Sequence, residues 1–122
     1  MKGALIIKLN FKEEEKESKN KKFALINQNN AGSMEPTIRA RSLVLTVPVC
    51  PEEVREGDIV TYTRTAVDTS GGHFRVPFTV VHRVREIRDD TFIFQGDNES
   101  EPDPSVRAEQ IGYRVVWIAE GL

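Results

Sequence analysis

A series of short β-branched and apolar runs, each closed by proline, glycine or aspartate, constrains this chain more than any other feature. Leu43-Val44-Leu45-Thr46-Val47 is stopped by Pro48 and Pro51, because proline has no ladder donor and is confined to strand ends and edges. Glu56-Gly57-Asp58 is a turn that opens the strand over 59–63. Residues 78–87 form a longer strand in which Val80, His82, Val84 and Glu86 share one face, with Val81, Arg83, Arg85 and Ile87 on the other. Asp89-Asp90 turns the chain into Thr91-Phe92-Ile93-Phe94-Gln95, and residues 111–118 read as a closing strand. Helical periodicity is nearly absent, so any helix should be short, around 105–110. The expectation is an all-β fold, a coiled sheet or partly open barrel with little helix.

Before this series, residues 3–11 end in the alternation Ile7-Lys8-Leu9-Asn10-Phe11, which reads as a strand. Residues 12–22 are a mixed-charge run, a solvated turn or short helix. Phe23-Ala24-Leu25-Ile26 is a second apolar run placed to pair back on the first. Residues 1–30 are therefore expected to be a charged N-terminal segment with a β-hairpin, and 31–122 the main domain. A length of 122 residues allows one domain with a real core.

Composition narrows the partners. A net charge of −2 argues against nucleic acid, which requires a basic excess or a clustered basic face. The lone Cys50 has no internal disulfide partner; beside Pro48 and Pro51 it reads as a buried small apolar residue rather than a nucleophile. Apolar runs such as Ala4-Leu5-Ile6-Ile7 fall far short of the roughly twenty residues of a membrane-spanning helix. Lys8 and Lys12 interrupt the apolar start before a signal-peptide core develops, so the chain is expected to be soluble.

The candidates for chemistry are few. Ser33 follows Gly32 and precedes Pro36, which stops a helix from running through the serine and sets it at an exposed bend. Such a hydroxyl suits a nucleophile if a base lies nearby, although Gly-Ser is also ordinary turn chemistry. His82 sits on an apolar strand face, where imidazoles are usually core residues. Asp97, Glu99, Glu101 and Asp103 crowd negative charge near a strand end without an intervening Lys or Arg, a field that favours a protonated histidine. Asp58 reads as a turn residue and His73 as a loop residue. No metal ligand set is spaced around His73, and neither cofactor nor metal is expected.

Gly-Ser-Met-Glu-Pro-Thr-Ile at 32–38, Val-His-Arg-Val at 81–84 and Gly-Asp-Asn at 96–98 with Asp103 occur in the order and context of the type I signal peptidase family. The resemblance runs from about Ala31 to Ile118, and is to the archaeal and endoplasmic-reticulum branch with histidine as base. It implies that residues 31–122 are a peptidase catalytic domain in which Ser33 is the nucleophile, His82 the general base, and Asp97 and Asp103 the supporting acids. Of these two, Asp103 is expected to orient His82, while Asp97, in the Gly-Asp-Asn turn, is expected to spend its carboxylate on backbone N–H groups.

The resemblance further implies a serine endopeptidase that removes signal peptides from secretory preproteins after small residues, on the extracytoplasmic side of a membrane. The alternatives are a soluble relative that matures one dedicated protein and a catalytically silent β-domain that binds extended peptides. The chain departs from the family at three places. Ala31 stands where a Ser or Thr hydroxyl usually serves the oxyanion, Arg41-Ser42 stands where Gly-Asp is common, and the charged run at 12–22 stands where members carry a hydrophobic anchor. Either an anchor has been removed or the chain is a naturally soluble relative. A family member acting at a bilayer is expected to expose apolar side chains near Ser33, Met34 and Ile38 among them.

Overall fold

The computed structural model describes residues 22–25, 32–68 and 74–119. Its strands are β1 (Lys22–Leu25), β2 (Leu43–Pro48), β3 (Ile59–Asp68), β4 (Phe74–Arg88), β5 (Thr91–Gln95), β6 (Val106–Arg107) and β7 (Ile111–Ala119). They form one antiparallel sheet in the order β1-β2-β7-β3-β4-β5-β6 that does not close into a barrel. Among the described residues, helical geometry is confined to 3-10 turns at Gly32–Met34, Pro51–Glu53 and Ala108–Gln110. The expected all-β fold with little helix is the one observed.

β1 pairs with β2, Phe23 opposite Leu45. The hairpin partner expected at residues 3–11, the loop holding His73 and the residue Ala31 lie outside the described residues. β3 and β4 are longer than the runs of apolar residues foretold, and pair from Ile59 opposite Arg83 out to Asp68 opposite Phe74. β5 covers β4 only from Arg83 onward, so Pro77 lies where β4 has β3 as its one neighbour and needs no second ladder donor.

Alternation along the central strands divides the buried side chains between two clusters. Val60, Tyr62, Val80 and Val84 join Phe92, Phe94 and Val106 in one; Ile59, Val81, Val115 and Ile118 join Met34, Ile38 and Val44 in the other. One expectation about faces is corrected here. The pairing of β4 with β5 slips between Val84 and Glu86, a bulge that inserts Arg85 and reverses the parity beyond it. Ile87 therefore packs with the cluster of Val80 and Val84, while Glu86 turns to solvent and pairs with Arg88.

Two further corrections concern exposure. Met34 and Ile38 are 3% and 1% exposed, so neither belongs to an apolar surface beside Ser33; both are core anchors. Among the described residues, the exposed large apolar side chains are instead Val76, Phe78 and Val116. Cys50 is exposed rather than buried, because the chain leaves the sheet there for the 3-10 turn begun by Pro51, and Val49 takes the core position beside it. No helix among the described residues is long and apolar enough to cross a membrane.

Candidate active site

Ser33 is held from both sides. Met34 and Ile38 bury themselves in the core after it, and the Ile38 N–H donates to Met34 O at 3.0 Å. The Gly96-Asp97-Asn98 turn grips the same segment from beyond β5. The Asn98 N–H donates to Ser33 O at 2.9 Å, Asn98 Nδ2 to Gly32 O at 3.0 Å, and the Asp97 N–H to Met34 Sδ at 3.4 Å. Glycine is required at 96 because a Cβ there would lie 2.5 Å from Ser33 O. The serine backbone is thereby fixed while its hydroxyl stays half-buried.

His82 lies within β4, opposite Val60, with its ring almost wholly enclosed. Its Nε2 is 3.0 Å from Ser33 Oγ, and its Nδ1 is 2.6 Å from Asp103 Oδ2. An ionised Asp103 holds the ring proton on Nδ1, which leaves the Nε2 lone pair to accept from the serine hydroxyl. Asp103 is itself anchored: its N–H donates to Phe94 O at 2.8 Å, and the Tyr62 hydroxyl donates to its Oδ2 at 2.5 Å. Burial, then the hydrogen bond to Asp103, push the Tyr62 phenol well above its ordinary pKa. The phenol therefore stays a donor. Its ring packs on Phe94 at 4.6 Å between centroids, and the Arg64 guanidinium stacks over it at 5.4 Å.

Asp97 is placed differently from the expectation. Among the described residues its carboxylate hydrogen-bonds to neither His82 nor a backbone N–H; it accepts from Arg83 Nε and Nη2, each at 2.8 Å, and from Thr37 Oγ1 at 2.5 Å. The Arg83 hydrogen bonds are the main reason its carboxyl sits below the usual carboxylate range. Arg83 also donates from Nη1 to Gly57 O at 2.8 Å, which ties the turn before β3 to the loop after β5. Two residues later, Glu99 brings Oε1 to 3.7 Å from His82 Nε2.

The fold thus brings Ser33, His82 and Asp103 into one line, and sets Asp97 beside that line on Arg83. Asp58 stays a turn residue, its Oδ2 accepting from the Arg55 N–H at 2.9 Å. Glu99 belongs to the acidic run marked in the sequence, whereas Tyr62, Arg83 and Thr37 were given no role there. A signal existed for Tyr62 alone: it alternates with buried Val60, and a buried phenol needs a partner for its hydroxyl. No family model, curated protein or solved structure matches the chain.

Proposed function

We propose that this chain is a serine endopeptidase of the type I signal peptidase kind. The observation that carries the reading is the unbroken line from Ser33 Oγ through the His82 ring to Asp103, with both links at hydrogen-bond length. Ser33 Oγ attacks a peptide carbonyl as Nε2 takes its proton, and the charge of Asp103 stabilises the imidazolium that forms. In this reading the Ser33 backbone N–H is a donor to the oxygen that becomes negative. Collapse of the tetrahedral adduct expels the amine, which receives the proton from Nε2 and leaves an acyl-serine. Water then attacks the ester, with His82 as base, and frees Ser33.

The resemblance that the three sequence motifs carry implies the substrate class: secretory preproteins with small residues at the first and third positions before the cut, cleaved on the extracytoplasmic side of a membrane. The test is cleavage of a signal-peptide substrate by the wild type and by Ser33→Ala. Loss of cleavage in the variant with an unchanged β-sheet circular dichroism spectrum supports the reading. Equal turnover by the two proteins overturns it, and binding without cleavage by the wild type favours the peptide-binding alternative.

A further inference from the structure

His82 has a carboxylate at each end of its ring, and the peptidase reaction uses only one of them. Asp103 Oδ2 takes Nδ1 at 2.6 Å, while Glu99 Oε1 stands 3.7 Å from Nε2 on the side that faces Ser33 Oγ at 3.0 Å. Donor atoms of His82, Glu99 and Asp103 all lie within 4.8 Å of one another. Glu99 is a held side chain. Its Oε1 accepts from the Gly96 N–H at 3.2 Å, its carbonyl from Gln95 Nε2 at 2.5 Å, and its N–H donates to Gly96 O at 3.0 Å.

We propose that His82 Nε2 and the Glu99 carboxylate, with Ser33 Oγ as a weaker third donor, form a binding site for Zn2+ that closes the nucleophile off from substrate. Zinc takes imidazole nitrogen and carboxylate oxygen at about 2.0–2.2 Å, which puts neighbouring donors of a tetrahedral site about 3.4 Å apart. The separations of 3.0 and 3.7 Å from Nε2 bracket that spacing. The 2.6 Å between Nδ1 and Asp103 is too short to share an ion, so Asp103 serves as the outer acceptor that fixes the tautomer and leaves Nε2 free to ligate. Waters complete the coordination. Calcium and magnesium do not fit, since both require mostly oxygen donors in larger number. The metal binds where Nε2 would otherwise accept the serine proton, so bound zinc and catalysis exclude each other. The inhibition rests on the peptidase reading; the binding does not.

The experiment titrates Zn2+ into the chain against a chromophoric zinc chelator, and in parallel into the peptide-cleavage assay. Binding of one equivalent is expected, weakened about ten-fold or more in Glu99→Gln and about 10–100-fold in Asp103→Asn, with Ser33→Ala and Cys50→Ser changed far less. Inhibition of cleavage should follow zinc affinity across the wild type, Glu99→Gln and Cys50→Ser, and reverse on chelation. Zinc affinity unchanged by both Glu99→Gln and His82→Ala overturns the site, as does the absence of any binding. If Ser33→Ala still cleaves peptide while the chelator titration shows the Glu99-dependent site, the peptidase reading falls and the metal site stands.

Discussion

The Tyr62 hydroxyl and His82 Nδ1 converge on the same oxygen, Oδ2 of Asp103, at 2.5 and 2.6 Å. The acid is therefore oriented by a buried phenol at the same time as it orients the imidazole. Tyr62→Phe keeps the ring that packs on Phe94 and deletes only this donor. It should lower kcat about ten-fold with little change in KM, the scale of one lost hydrogen bond. Steady-state kinetics decide the point: an unchanged kcat would leave Tyr62 a packing residue.

The same phenol makes stability depend on alkaline pH. Its folded-state pKa lies above the ordinary value of 10.0, so the fold holds the proton more tightly than the unfolded chain does. The contribution is complete below that ordinary value and is lost as pH rises beyond it, when the unfolded chain ionises first. Urea unfolding of the wild type should show a decline above about pH 10 that is shallower in Tyr62→Phe.

Asp97 and Asp103 should separate on substitution. Asp103→Asn is expected to keep the fold and lose most of the turnover, since the amide no longer fixes the imidazole tautomer. Asp97→Asn loosens the Arg83 and Thr37 hydrogen bonds, and should lower stability by about 1 kcal/mol after allowance for partial exposure, near 4 °C in Tm, along with rate. Because the Asp97 carboxyl is held below the usual range, this stabilisation is present above the ordinary value of 3.8 and fades as pH falls through the folded-state pKa. Thermal melts and turnover measured on both variants give the comparison.

Gly96→Ala tests how the serine turn is held. The new methyl would meet the backbone O of Ser33 at 2.5 Å, so the turn must shift. A loss of about 1–3 kcal/mol in stability is expected together with a fall in kcat, because the displaced atom belongs to the nucleophile. A fully active Gly96→Ala enzyme would show that the contact does not set the position of Ser33.

Arg41 and Ser42 offer stabilising changes. Arg41 has φ of 66°, in the left-handed region that favours glycine, and Ser42 Oγ is buried without a hydrogen-bond partner among the described residues. Arg41→Gly and Ser42→Ala should each raise stability by up to about 1 kcal/mol, read from the denaturation midpoint.

Much of the sheet was legible because proline, glycine and paired aspartates mark strand ends: Thr91–Gln95 is bounded as its composition foretells, and the positive φ of Asp89 fits the Asp89-Asp90 turn. The outer half of the β3–β4 ribbon was missed, since Pro77 reads as a strand breaker until the missing second neighbour is known. The bulge at Arg85 was invisible for a related reason: a register slip depends on the partner strand. At the site, residue types and order marked Ser33, His82, Asp97 and Asp103, and Asp103, the acid expected to face the ring, lies 2.6 Å from its Nδ1. The groups that hold Asp103 there, Phe94 O and Tyr62 Oη, meet it only in the folded sheet and were not legible. Met34 and Ile38 were misplaced because an apolar side chain beside a reactive serine reads equally as lipid contact or as anchor; their packing in one core cluster with Val44 decides for anchor.

The most direct measurement of the central claim is mass spectrometry of the protein after reaction with a serine-directed acylating or phosphonylating probe. A single adduct on Ser33 is expected, absent in Ser33→Ala and strongly slowed in His82→Ala. An adduct that forms on Ser33 at the same rate without His82, or no adduct on Ser33 in protein that cleaves peptide, would contradict it.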